Sequence, residues 1–127
     1  MPTAEGMSFV YYGQEEIKTE LLETFDFDSP EQLITTETEE FSAVCPFSGL
    51  PDVAYLCIEY YPAGKCVELK SLKYYLTSFR SVGIYQEAAT KRIYKDLKTL
   101  LKASKLKITT VYNTRGGFDT MCEEGEV

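Results

Sequence analysis

The 127-residue, 14.4 kDa chain has the size of one domain, and its 44% hydrophobic content, with ten Tyr and seven Phe, is enough for a core and for flat apolar contact surface. A formal charge of -7 and a pI of about 4.6 exclude a nonspecific binder of phosphate backbones, though not a small anion held by a local basic cluster. With no histidine and no CxxC pair among Cys45, Cys57, Cys66 and Cys122, a structural zinc site is excluded and free thiols are expected.

Residues 1–30 read as a polar, acidic N-terminal extension, irregular and ending in the turn signals Asp28, Ser29 and Pro30. Gln32–Val44, rich in Thr and Glu, suits a strand with one wet face. Cys45-Pro-Phe-Ser-Gly-Leu-Pro-Asp52 is a turn region, because two prolines and a glycine interrupt a ladder. Val53–Tyr61 has the branched and aromatic content of a strand, closed by Pro62-Ala63-Gly64, and Lys65–Val67 suits a short strand or turn edge. Leu69, Leu72, Leu76 and Phe79 recur at helical spacing, which predicts an amphipathic helix over Glu68–Arg80. Ala89, Ile93, Leu97, Leu100 and Leu101 predict a second over Gln86–Lys102. Lys105–Asn113 and Phe118–Cys122 read as strands around an Arg115-Gly116-Gly117 bend, with a frayed acidic C-terminus. Residues 31–127 thus form one α+β domain in which two helices cover one face of an antiparallel sheet. The other face and the sheet edges need a cover, for which oligomerisation is the natural remedy. No apolar run approaches a membrane span and residues 1–6 carry no targeting pattern, so a cytoplasmic protein without membrane contact is expected.

Several residues carry candidate chemistry. Cys45, at a strand end beside a tight turn, has the setting of a nucleophile whose pKa the turn amides lower. Asp52, the carboxylate of that loop, can move protons if the chain folds back on itself. A buried small thiol and a turn-capping carboxylate are the plain alternatives. Lys70 and Lys73 share one side of the first helix, and with Ser71 can hold a phosphate near the helix start. Glu68 caps that helix or holds ring nitrogens. Glu87 opens the second helix and can accept two parallel N–H bonds from a guanine-type edge. Arg115, beside a flexible bend, presents a fork of donors suited to an anion. Neither a GxGxxG nor a Walker loop is present.

Cys45-Pro-Phe-Ser-Gly-Leu-Pro-Asp52, Glu68-Leu-Lys-Ser-Leu-Lys-Tyr-Tyr75 and Asn113-Thr-Arg-Gly-Gly117 together resemble the short, single-module NADPH-dependent 7-cyano-7-deazaguanine (preQ0) nitrile reductases of queuosine biosynthesis, over about residues 37–122. The resemblance implies the tunnelling fold (T-fold), with subunit sheets joined into a barrel, two five-subunit rings paired as a homodecamer, and active sites between subunits. It implies that Cys45 attacks the nitrile to form a thioimidate and that Asp52 supplies or relays protons. Glu87, assisted by Glu68 and Gln86, would hold the deazapurine, while Lys70, Ser71, Lys73 and Arg115 hold NADPH; no metal and no direct nucleic-acid contact are implied. Gln86 stands where the family pattern has histidine. Glutamine exchanges hydrogen bonds but does not carry a proton at neutral pH, so the hydride step slows if that position is a proton donor. The alternatives are an amidine-forming transferase acting on the same nitrile in tRNA, which has no need of the lysine motif, and a non-catalytic deazapurine-binding protein.

Overall fold

The Thr/Glu-rich stretch and the aromatic run on either side of the Cys45 turn pair as an antiparallel hairpin, β2 (Ile34–Val44) with β3 (Pro51–Tyr60), in the computed structural model, which describes residues 9–127. β3 pairs with β5 (Leu106–Arg115) and β5 with β6 (Phe118–Glu126), completing a four-stranded antiparallel sheet in the order β2-β3-β5-β6. A separate two-stranded ribbon joins β1 (Thr24–Asp26) to β4 (Lys65–Val67). Helices α1 (Leu69–Thr77) and α2 (Gln86–Leu101) lie between β4 and β5 in the chain.

Alternation along the strands decides which side chains meet the helices. Ala54, Leu56, Ile58 and Tyr60 of β3 and Leu106, Ile108 and Tyr112 of β5 are buried with Leu72 and Tyr75 of α1 and Ala89, Ile93 and Leu97 of α2. The opposite face keeps Val53, Val111 and Met121 exposed, and β2 and β6 are the sheet edges. The carboxylate of Glu68 accepts the Lys70 and Ser71 amides, so α1 begins at Leu69. α2 ends where Lys102 takes a left-handed conformation, and Lys98 Nζ donates to the Ala103 carbonyl at 2.6 Å. Among the described residues no helix is long and apolar enough to cross a membrane.

Two segments are more ordered than their composition suggests. Residues 1–8 of the acidic N-terminal stretch lie outside the described residues. The rest forms two single-turn 3-10 helices, Gln14–Glu16 and Thr19–Leu21, and then β1, and it buries Ile17 and Leu22 in the core. The acidic C-terminus does not fray: β6 continues to Glu126 opposite Leu106, and Lys107 Nζ meets Glu123 at 2.5 Å. Gly125 permits the close approach, because a Cβ there would lie 2.1 Å from the Leu106 carbonyl oxygen and 2.4 Å from the Tyr94 ring.

A polar clasp fixes the N-terminal segment. Asp96 Oδ2 accepts from Tyr75 Oη at 2.6 Å, Arg92 Nε at 2.9 Å and Thr19 Oγ1 at 3.0 Å, while Arg92 reaches Thr19 at 3.1 Å and Gln14 at 3.3 Å. Burial and the neighbouring Asp96 carboxylate push the Tyr75 hydroxyl pKa far up, so it stays a donor. Asp96→Ala leaves Tyr75 and Arg92 without their acceptor and is expected to destabilise the fold by about 2–3 kcal/mol in chemical denaturation. A change below about 0.5 kcal/mol would show that the clasp is not structural.

Candidate active site

The Cys45 turn is shaped by where its backbone bonds go. Val44 donates to Val82 O at 3.0 Å and accepts from Ile84 N at 3.2 Å, so Pro51, opposite Val44, owes it no N–H and can open β3. Cys45 N–H donates to Leu50 O, and Gly49 N–H returns to Cys45 O, both at 2.9 Å. Gly49 has φ +73°, and a Cβ there would lie 2.4 Å from the Phe9 carbonyl oxygen. The N-terminal segment braces this turn from outside: Phe9 N–H donates to Ser48 O at 2.7 Å and the Tyr11 hydroxyl to Pro46 O.

Within the turn the Cys45 pKa is lowered from 9.0 to about 7. The Ser48 backbone N–H is the largest cause; that of Phe47, the Ser48 hydroxyl and the Arg115 guanidinium assist, all against desolvation. The thiolate and Asp52 in turn hold Arg115 charged.

Asp52 stands on β3 and not in the loop, paired with Ala43 and only 3% exposed. Its Oδ2 accepts from Arg115 Nη1 at 2.9 Å and its Oδ1 from Gln86 Nε2 at 3.3 Å. One guanidinium from the β5–β6 bend therefore serves both the Cys45 thiol and the buried carboxylate. Glu87, exposed in the first turn of α2, lines the same cleft of about 450 Å³. Cys45, Asp52, Gln86, Glu87 and Arg115, far apart in sequence, thus converge.

The α1 residues do not join them within one chain. Lys73 lines a second groove of about 520 Å³ between β2 and α1, with Leu69, Leu72, Leu76 and Arg80. Lys70 is exposed and lies 6.0 Å from the centroid of the Tyr74 ring. Ser71 is buried, its hydroxyl donating to Glu68 O at 2.7 Å and accepting from Glu23 N at 3.0 Å. Glu68 itself is engaged as the helix cap.

A family model described as QueF-like protein matches residues 51–126. The chain belongs to the QueF-like family. Within it, the proteins named NADPH-dependent 7-cyano-7-deazaguanine reductase from Thermotoga petrophila and Thermotoga maritima are each 59% identical over 128 residues, spanning 100% of this chain and 93% of the relative. That of Caldicellulosiruptor bescii is 52% identical over 114 residues, spanning 88% and 87%. The crystal structure of the archaeosine synthase QueF-Like in the apo form aligns at a TM-score of 0.71 and 22% identity, covering 78% of this chain and 96% of that one. At that identity the likeness concerns the fold alone, an α+β arrangement with T-fold topology.

The QueF-like chain also lines its cleft with residues to which the sequence assigned no role. Phe47 and Tyr85 meet edge to face at the cleft wall, their centroids 5.9 Å apart, while Phe118 and Thr120 come from β6. The only sequence signal for them is adjacency: Phe47 lies two residues after Cys45, and Tyr85 directly precedes Gln86. Arg80, a second cation in the α1 groove, has no signal beyond its place at the end of the expected helix. The Cys45 surroundings give a pH expectation. Because the folded pKa is depressed, the thiolate forms as pH rises through about 7 instead of 9.0. Alkylation dependent on Cys45, measured against Cys45→Ser, should reach half its plateau near pH 7; a midpoint near the ordinary thiol value would refute the activation.

Proposed function

We propose that this protein reduces the nitrile of 7-cyano-7-deazaguanine to the aminomethyl group of 7-aminomethyl-7-deazaguanine with NADPH, in the biosynthesis of queuosine in tRNA. The observation that carries the reading is the convergence of Cys45, Asp52 and Glu87 on one cleft, in a chain 59% identical to two proteins that bear that reductase name.

The Cys45 thiolate attacks the nitrile carbon, a C–S bond forms, and one C–N π pair moves onto nitrogen, which takes a proton supplied or relayed by Asp52. Arg115 keeps thiolate and carboxylate adjacent while charge shifts between them. Gln86 holds the other oxygen of Asp52, a positioning duty that glutamine performs without titrating. Glu87 accepts the paired N–H groups of the deazapurine edge, and the Phe47–Tyr85 pair offers an apolar wall to its flat ring. Attachment to sulfur holds the substrate through the first reduction. The nitrogen lone pair then expels the Cys45 thiolate, breaking the C–S bond, and the resulting imine, held in the cleft, takes the second hydride.

NADPH, when bound, supplies the hydrides. The donor set fits a phosphate-bearing cofactor: Lys73 and Arg80 face one groove and Lys70 stands exposed on the same helix. Ser71, with its hydroxyl engaged, contributes by holding the start of that helix, and Glu68 by capping it. Because Arg115 lies in the Cys45 cleft and the lysines do not, the set completes when α1 of one copy approaches the Cys45 cleft of another. That supports active sites between subunits and a closed barrel, which also covers the bare sheet face and joins the edges β2 and β6. We read the assembly as a cytoplasmic homodecamer of two five-membered rings, with residues 31–127 as the T-fold unit and the acidic segment before it as an extension.

The test is NADPH oxidation dependent on 7-cyano-7-deazaguanine, with chromatography of the product. Two NADPH consumed per aminomethyl product support the reading. Substrate bound without any oxidation of NADPH would overturn it.

A further inference from the structure

Among the described residues, the Tyr112 hydroxyl is the one buried side-chain polar atom with no hydrogen-bond partner. The residue is 3% exposed on the helix-covered face of the sheet, where phenylalanine would fill the same space without an unpaired oxygen. Its neighbours are those of the active site. Tyr112 pairs with Ala54 on β3 and Thr120 on β6, and alternation puts Asp52, two residues before Ala54, on the same face. Such diagonal neighbours lie about 7–8 Å apart, within reach of an aromatic side chain. Thr120 lines the Cys45 cleft, and α2, which carries Gln86 and Glu87 at its start, packs over β5 and β6. Burial first, then the charges of Asp52, Cys122 and Glu87, hold the phenol pKa above its ordinary value, so the hydroxyl remains a donor across the working range.

We propose that Tyr112 is a positioning residue for Asp52, its hydroxyl donating to one buried water that in turn donates to the Asp52 carboxylate. A buried water needs two to four polar partners; Tyr112 and Asp52 supply two, and Thr120, paired with Tyr112 across the sheet, can add a third. The two donors Asp52 already has, Gln86 and Arg115, both line the cleft, and Arg115 is 46% exposed. An incoming substrate can draw either away. A third donor reaching Asp52 from β5 keeps the carboxylate aimed while those bonds exchange. The inference rests on the reading of Asp52 as the group that handles protons.

Tyr112→Phe removes one oxygen and leaves the packing, and two measurements read its effect. High-resolution crystal structures of the assembled protein should show a water within hydrogen-bond distance of Tyr112 Oη and the Asp52 carboxylate, and the variant should lack it. Steady-state kinetics should show kcat down about 3- to 10-fold with KM for the nitrile unchanged, since Cys45 and Glu87 are untouched. Tyr112 Oη bonded elsewhere, or kcat unaltered despite loss of the water, would overturn the proposal, as would a KM rise with kcat unchanged. If the unaltered protein fails to turn over, the functional reading fails separately, and the crystal structures still decide whether Tyr112 holds a water on Asp52.

Discussion

Cys45→Ala is expected to abolish turnover, by on the order of 10⁴-fold or more, and to leave no covalent adduct. The size follows from the absence of a substitute. Cys57 belongs to β3, and burial raises its pKa. Cys66 is buried in β4, and Cys122 stands on β6; neither lines the cleft. The turn survives the change because its hydrogen bonds run through the backbone, from Cys45 N to Leu50 O and from Gly49 N to Cys45 O. Substrate affinity, which the proposed function assigns to Glu87 and the aromatic wall, should stay within a few-fold of the unaltered protein. Residual NADPH oxidation above a hundredth of the normal rate would mean that another group attacks the nitrile.

Asp52→Asn is the second large effect, expected to lower kcat about 10²- to 10⁴-fold with little change in substrate binding. The variant is nearly isosteric in a site that is 3% exposed, but it loses the proton and presents an N–H₂ to one of two donors. Either the 2.9 Å contact with Arg115 or the 3.3 Å contact with Gln86 must then give way. Single-turnover kinetics separates this from unfolding, because bound nitrile should still be attacked, only slowly. A loss below tenfold would place proton handling elsewhere.

Where local spacing sets structure, the sequence was readable. The leucines of α1 and α2 recur at three and four, and β3 is a run of branched and aromatic residues, so these elements fall within a few residues of expectation. That Cys45 and Asp52 lie near one another was legible because a motif ties them to one turn, and both line one cleft. The misreadings all involve partners distant in the chain. Asp52 joins β3 because Val44 spends its backbone bonds on Val82 and Ile84, which frees Pro51 to start the strand. The acidic C-terminus carries no apolar alternation, and its pairing with Leu106, Lys107, Ile108 and Thr109 across the sheet makes it a strand. The polar N-terminal stretch hides Ile17 and Leu22 among acids, and its docking depends on Asp96 and Tyr75. Arg115 suits an anion from sequence alone, and the fold gives it further partners. In the folded chain it contacts Asp52 and lowers the Cys45 pKa, a pairing across 63 residues that no local pattern announces.

The most direct test of the central claim is the intact mass of the protein with 7-cyano-7-deazaguanine, before and after NADPH. A mass increase of one substrate per chain is expected, located on Cys45 and discharged by NADPH as 7-aminomethyl-7-deazaguanine. No increase, or an adduct on another cysteine, would contradict it.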